Sequence, residues 1–157
     1  METKTALTEL IEKIPFLADA SPQVRGALQE IADIVLVSKG TLLFSEGEFH
    51  GYVYFVATGT IALDMVSERC IHQQILSIGD GDLLGWSAIL TGGAMTASAL
   101  ALEECCLVAF QADRLRTLCE KDHDIGYIVM KGIAKLLSRR LLATRIQFLD
   151  VFHHGRE

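Results

Sequence analysis

The 157-residue chain is half hydrophobic and carries fourteen Lys and Arg against twenty Asp and Glu, a formal charge of −6. That length fits one domain over 1–157, able to bury about two-thirds of its unfolded surface without a staple. No apolar run approaches the ~18 residues of a membrane span, METKTALTELIEKIP lacks a signal-peptide core, and the acidic balance repels a phosphate backbone, so a cytoplasmic protein with neither membrane nor nucleic-acid partner is expected.

In chain order, Leu7, Leu10, Ile11 and Ile14 recur at helical spacing, and Ser21-Pro22 places an N-cap before a proline at the first position of a second helix reaching about Ala32. These predict N-terminal helices over 1–33. From Ile34 to Phe110 the texture changes to short β-rich runs: IVLV, TLLF, YVYFV, TIALDMV, HQQILSI, MTASALA and CCLVAF. Their turns fall to Gly47, Gly51, Gly59, Gly79, Gly81 and Gly92-Gly93, since no proline follows Pro22. Short strands so evenly spaced predict a sandwich, roll or barrel over 34–110.

The pattern returns to helix over 111–152, with a short segment around Ala112 to Glu120 and a long one from about Asp124 to Phe148. In the latter, Tyr127, Met130, Ala134, Leu137, Leu141, Thr144, Phe148 and Val151 alternate by three and four, and none is charged. Met130, Ala134, Leu137, Leu141, Thr144 and Phe148 are therefore expected to form the seam of a homodimer. A second stripe, Val129, Ile133, Leu136 and Ala143, is expected to cover the strands. Arg114, Arg116, Lys131, Lys135, Arg139 and Arg140 read as the solvated side of the helices, with Glu120 and Asp124 as partners.

Cys70, Cys105, Cys106 and Cys119 show no metal-ligand spacing and read as reduced core residues; Cys105 and Cys106, adjacent in a strand, point to opposite faces. No nucleophile elbow, HExxH, Walker loop or dinucleotide fingerprint is present, so no catalytic residue, metal or cofactor is assigned.

The run Leu43-Phe44-Ser45-Glu46-Gly47-Glu48, then Tyr52 to Val56 and Gly59 to Leu63, resembles the first strands of cyclic-nucleotide-binding domains, and Ile78-Gly79-Asp80-Gly81-Asp82-Leu83-Leu84-Gly85 resembles the entry to their phosphate-binding cassette. The resemblance covers about residues 16–150 and is closest to ligand domains of catabolite-activator and fumarate-nitrate-type regulators. It implies an α+β fold: an antiparallel jelly-roll-like β-roll with N-terminal helices and a long C-terminal helix. It also implies a non-enzymatic sensory module whose ligand residues are Gly85, Trp86, Ser87, Ala88, Met95 and Thr96, with Thr144 and Arg145 on the long helix.

The cassette departs from that family where charge matters. Nucleotide-binding members open a short helix with Gly-Glu and place an arginine about ten residues later; here the corresponding residues are Gly85-Trp86 and Met95. Losing a buried charge-assisted pair costs about 3 kcal/mol or more, over 100-fold in affinity. Between Arg69 and Arg114 there is no Lys or Arg, which leaves Arg145 as the remote candidate. An unidentified small molecule, apolar or aromatic, is therefore the expected ligand, with a ligand-free scaffold as the alternative and cyclic nucleotide binding by a variant cassette as a further one. Some members sense gases through haem at a Cys-x-His pair; Cys70-Ile71-His72 has that spelling but precedes the cassette by more than ten residues. His153-His154 reads as a frayed polar tail. Family regulators carry a helix-turn-helix beyond this point, so the resemblance implies either that output passes to a separate effector protein or that the sequence is a piece of a longer regulator.

Overall fold

The computed structural model describes residues 2–154; Met1 and residues 155–157 of the expected unit lie outside them. Helix α1 (Glu2–Glu12) and a 3-10 turn (Pro15–Leu17) precede α2 (Pro22–Gln29). Ser21 caps α2, its hydroxyl accepting the Val24 amide at 3.3 Å, with Pro22 following where its missing N–H costs nothing. Ile11, Ile14, Leu17, Val24 and Leu28 are buried, so this entry packs as the apolar spacing predicts. The helix stops short of Ala32, which already belongs to a strand.

Eight strands follow: β1 (Ala32–Val37), β2 (Leu42–Phe44), β3 (Tyr52–Thr58), β4 (Ile61–Val66), β5 (His72–Ile78), β6 (Leu83–Leu84), β7 (Ser98–Ala101) and β8 (Cys105–Gln111). They form two four-stranded antiparallel sheets, β1-β8-β3-β6 and β2-β7-β4-β5, in an α+β β-roll. The inward side chains of both sheets meet in one core, where Phe55 sits edge-on to Phe16 at 5.6 Å and to Phe110 at 5.9 Å. Of the MTASALA run only Ser98–Ala101 is strand.

Helix α3 (Ser87–Leu90) interrupts the roll, and α4 (Ala112–Lys121) and α5 (His123–His154) leave it. Helix α5 packs mainly on α4 and the 3-10 turn, with Ile125 buried beside Val129, Ile133 and Leu136 of the stripe expected to cover the strands; Ala143, the fourth residue of that stripe, is exposed. Gly132 permits the contact: a Cβ there would stand 2.1 Å from the Phe16 ring. The helix runs past Phe148, and His153 is inside it, its Nδ1–H donating to the Leu149 carbonyl at 2.9 Å, so the expected frayed tail is instead regular helix.

Candidate functional site

The cassette is shaped by backbone first. Gly85 adopts φ +72°, and a Cβ there would lie 2.5 Å from the Tyr52 carbonyl oxygen, so glycine alone lets the β6-to-α3 turn press against β3. Trp86 follows as the N-cap of α3, half-buried, and Ser87 is buried. The Ser87 carbonyl accepts the Thr91 and Gly93 amides at 3.1 and 2.9 Å, which closes the helix against Gly92-Gly93. The returning chain is pinned to the β2–β3 loop, because the Met95 amide donates to Glu48 O at 2.9 Å and its carbonyl accepts from Gly47 N at 2.7 Å.

These contacts bring Gly85, Trp86, Ser87, Met95 and Thr96 around one cavity, closed by Phe44, Leu63, Leu84, Ala97 and Arg140. Its volume is about 30 Å³, the room of a single water. Met95 is buried where an arginine would be needed, and Ala88 faces away from this cavity toward a separate groove. The lining carries one cationic side chain, Arg140, and no acidic one.

The cation in the cassette is Arg140, which the sequence reading placed in solvent. Its side chain is only 13% exposed; Nη2 donates to Asp82 Oδ1 at 2.6 Å and to the Leu83 carbonyl, while Nε is buried without a hydrogen-bond partner among the described residues. Asp82 is held in turn, its Oδ1 accepting the Leu83 amide at 2.8 Å. Arg140 continues the buried stripe, four residues after Leu136, and a long stem lets a charged head follow an apolar face inward. Arg145 lies about 140° farther round the helix and is exposed, so it does not enter the cassette. Thr144 is also exposed, its hydroxyl donating back to Arg140 O at 2.9 Å. Arg116, likewise expected in solvent, donates to the Ala88 carbonyl at 2.9 Å and pairs with Asp113, not with Glu120 or Asp124.

Beyond Arg140 the described part of α5 makes no buried contact with the roll. Of the expected seam, Tyr127, Ala134, Leu141, Thr144, Phe148 and Val151 are exposed and Met130 and Leu137 are half-buried. Leu142, Ile146, Leu149 and Phe152 are exposed as well, giving a broader apolar surface than the seam alone.

Under the β2–β3 loop, His50 Nε2 and the Tyr54 hydroxyl share a 2.7 Å hydrogen bond. Burial holds the imidazole below its ordinary range, outweighing the nearby Glu48 carboxylate, and pushes the Tyr54 phenol up to about 12, with Tyr52 adding to the shift. Burial also raises the thiols of Cys105, Cys106 and Cys119, keeping them protonated and unreactive. Cys70 is no core residue: it is exposed at φ +58° in the β4–β5 turn, outside the strand that begins at His72, so the pair lacks the shared strand face its spacing would give. Among the described residues no three His, Cys, Asp or Glu side chains gather as a metal site, and no helix is long and apolar enough to cross a membrane.

The family model for the cyclic nucleotide-binding domain matches residues 34–122. Two relatives are the cyclic AMP receptor protein of Thermus thermophilus, 29% identical over 129 residues (77% of this chain and 57% of the relative), and the CRP-like cAMP-activated global transcriptional regulator of Mycobacterium tuberculosis, 22% identical over 145 residues (92% and 63%). The chain thus spans about three-fifths of the length of these curated relatives. Among solved structures, a cyclic nucleotide-binding domain from Methylobacillus flagellatus superposes with a TM-score of 0.81 at 20% identity, covering 95% of this chain and 84% of that one. The Thermus thermophilus catabolite activator protein gives 0.70 at 24% identity, covering 88% and 63%.

Proposed function

The chain belongs to the cyclic nucleotide-binding domain family, and from that premise we propose that it is a non-catalytic regulatory module whose cassette is shut and whose α5 pairs with α5 of a second copy. The observation that carries this reading is the filled cassette. Trp86 and Met95 stand where the family's charged anchors would be, Arg140 is committed to Asp82, and about 30 Å³ is left, against the ~300 Å³ or more of an ordinary ligand pocket. Cyclic AMP and cyclic GMP are therefore not its effectors in the family's usual mode. If the Arg140–Asp82 contact opens, the lining of Phe44, Leu63, Leu84, Trp86 and Met95 suits an apolar or aromatic small molecule. Titration calorimetry with both nucleotides tests the reading: no heat of binding is expected at millimolar nucleotide, and micromolar affinity for either overturns it.

A further inference from the structure

On the far side of α3 lies a groove of about 540 Å³, many times the cassette cavity and within the size range of small-molecule sites. Its floor is bare backbone. A Cβ at Gly51 or Gly92 would meet nothing within 4 Å, so space stands open above these glycines, although the Gly51 carbonyl already accepts the Ala112 amide at 2.8 Å. Its rim is apolar, with Phe49 at 78% and Leu90 at 44% exposure.

One wall holds both signs of charge. Arg116 and Asp113 pair at 2.7 Å on α4 with side chains 39% and 84% exposed, and Arg116 is fixed over the groove by its second bond to Ala88 O. An exposed pair of this kind is worth only ~0–1 kcal/mol, so a ligand bearing both charges can take each partner at little loss. A ligand of one sign must meet its own sign on Asp113 or Arg116. The remaining titratable group, His50, is bound to Tyr54 and held neutral by burial.

We propose that this groove binds a free zwitterionic amino acid with an apolar side chain, its carboxylate on Arg116, its ammonium on Asp113 and its side chain between Phe49 and Leu90. This does not rest on the closed cassette. Binding is visible at Trp86, the chain's one tryptophan, which caps the helix whose Ala88–Leu90 segment walls the groove.

The test uses the full chain and L-phenylalanine and L-leucine as probes, read by Trp86 fluorescence and by amide NMR shifts of Gly92 and Gly93. A saturable response to at least one probe is expected, with phenylacetate and phenylalaninamide about tenfold weaker or more than the intact amino acid, since each lacks one charge. Gly51→Leu, which fills open space from a backbone that is not left-handed, is expected to abolish the response while the melting temperature holds; Phe49→Ala is expected to weaken it. Silence of both probes at ~10 mM by fluorescence and NMR alike, equal binding of phenylacetate, or a response untouched by Gly51→Leu each overturns the proposal.

Discussion

Arg140 and Asp82 are 58 residues apart in the chain and 2.6 Å apart in space, and their contact fastens the long helix to the strand that leads into the cassette. Neither group is fully sheltered, and the buried Nε is left without a partner among the described residues, so the fastening is strong enough to hold and incomplete enough to yield.

Removing one partner strands the other. Asp82→Asn should cost about 1–2 kcal/mol, or roughly 2–8 °C in melting temperature, less than for a fully buried pair because both side chains retain some solvent. The double variant Asp82→Asn with Arg140→Leu should recover most of the loss. A double variant whose deficit is the plain sum of the two singles would show that the pair carries no coupling.

Nucleotide at 100 times its dissociation constant stabilises a native state by about 2.7 kcal/mol, roughly 5–11 °C here. Cyclic AMP or cyclic GMP at ~1 mM should fall well short of that shift on the unmodified chain. Trp86→Glu with Met95→Arg restores both charged anchors, and should move the shift upward. Differential scanning fluorimetry of the two proteins side by side decides it; a full shift in the unmodified protein contradicts the shut cassette.

Leu141→Glu places like charges face to face in the expected seam while touching no buried contact of its own subunit. The dissociation constant of the dimer should rise at least about hundredfold, with the far-ultraviolet spectrum unchanged. Sedimentation velocity at tens of micromolar measures it. An unmodified protein that sediments as a monomer removes the basis for pairing through α5.

The His50–Tyr54 pair gives stability two pH limbs. A folded His50 resists protonation more than an unfolded one, so its contribution is whole above the ordinary value of 6.5 and falls as pH drops through the folded value. Tyr54 keeps its proton to about 12 against an ordinary 10.0, so stability is whole below pH 10 and is lost between 10 and 12, on the order of 1–2 kcal/mol. His50→Gln should flatten the acid limb and Tyr54→Phe the alkaline one. Urea midpoints across pH 5–12 are the measurement, and limbs that survive both substitutions place the titration elsewhere.

Spacing alone revealed the two faces of α5, because helical periodicity is local and Val129, Ile133 and Leu136 keep it through the buried stretch. The capped α2 was legible for the same reason. Arg140 was not, although it continues that very stripe: a charged residue on an apolar face reads as an exception until the 58-residue contact with Asp82 is seen. Arg145 was favoured because no Lys or Arg lies between Arg69 and Arg114 and the resemblance puts this part of the long helix at the ligand, neither of which fixes the direction in which residue 145 leaves the helix. Gly85 shows the converse, since the sequence named it but only the Tyr52 carbonyl beneath it explains why nothing larger fits.

The end of α5 past Arg140 behaves mechanically as a lever. Fourteen residues at 1.5 Å each make an arm of about 21 Å with its pivot at the ion pair, so a tilt of about ten degrees there sweeps the tip through roughly 4 Å. At Phe148 and Phe152, stacked edge-on at 4.6 Å and about 12 and 18 Å from the pivot, the same tilt amounts to roughly 2 and 3 Å. If two such arms pair as proposed, opening the Asp82 contact at the pivot is read at their tips as a change in how the two helices interdigitate.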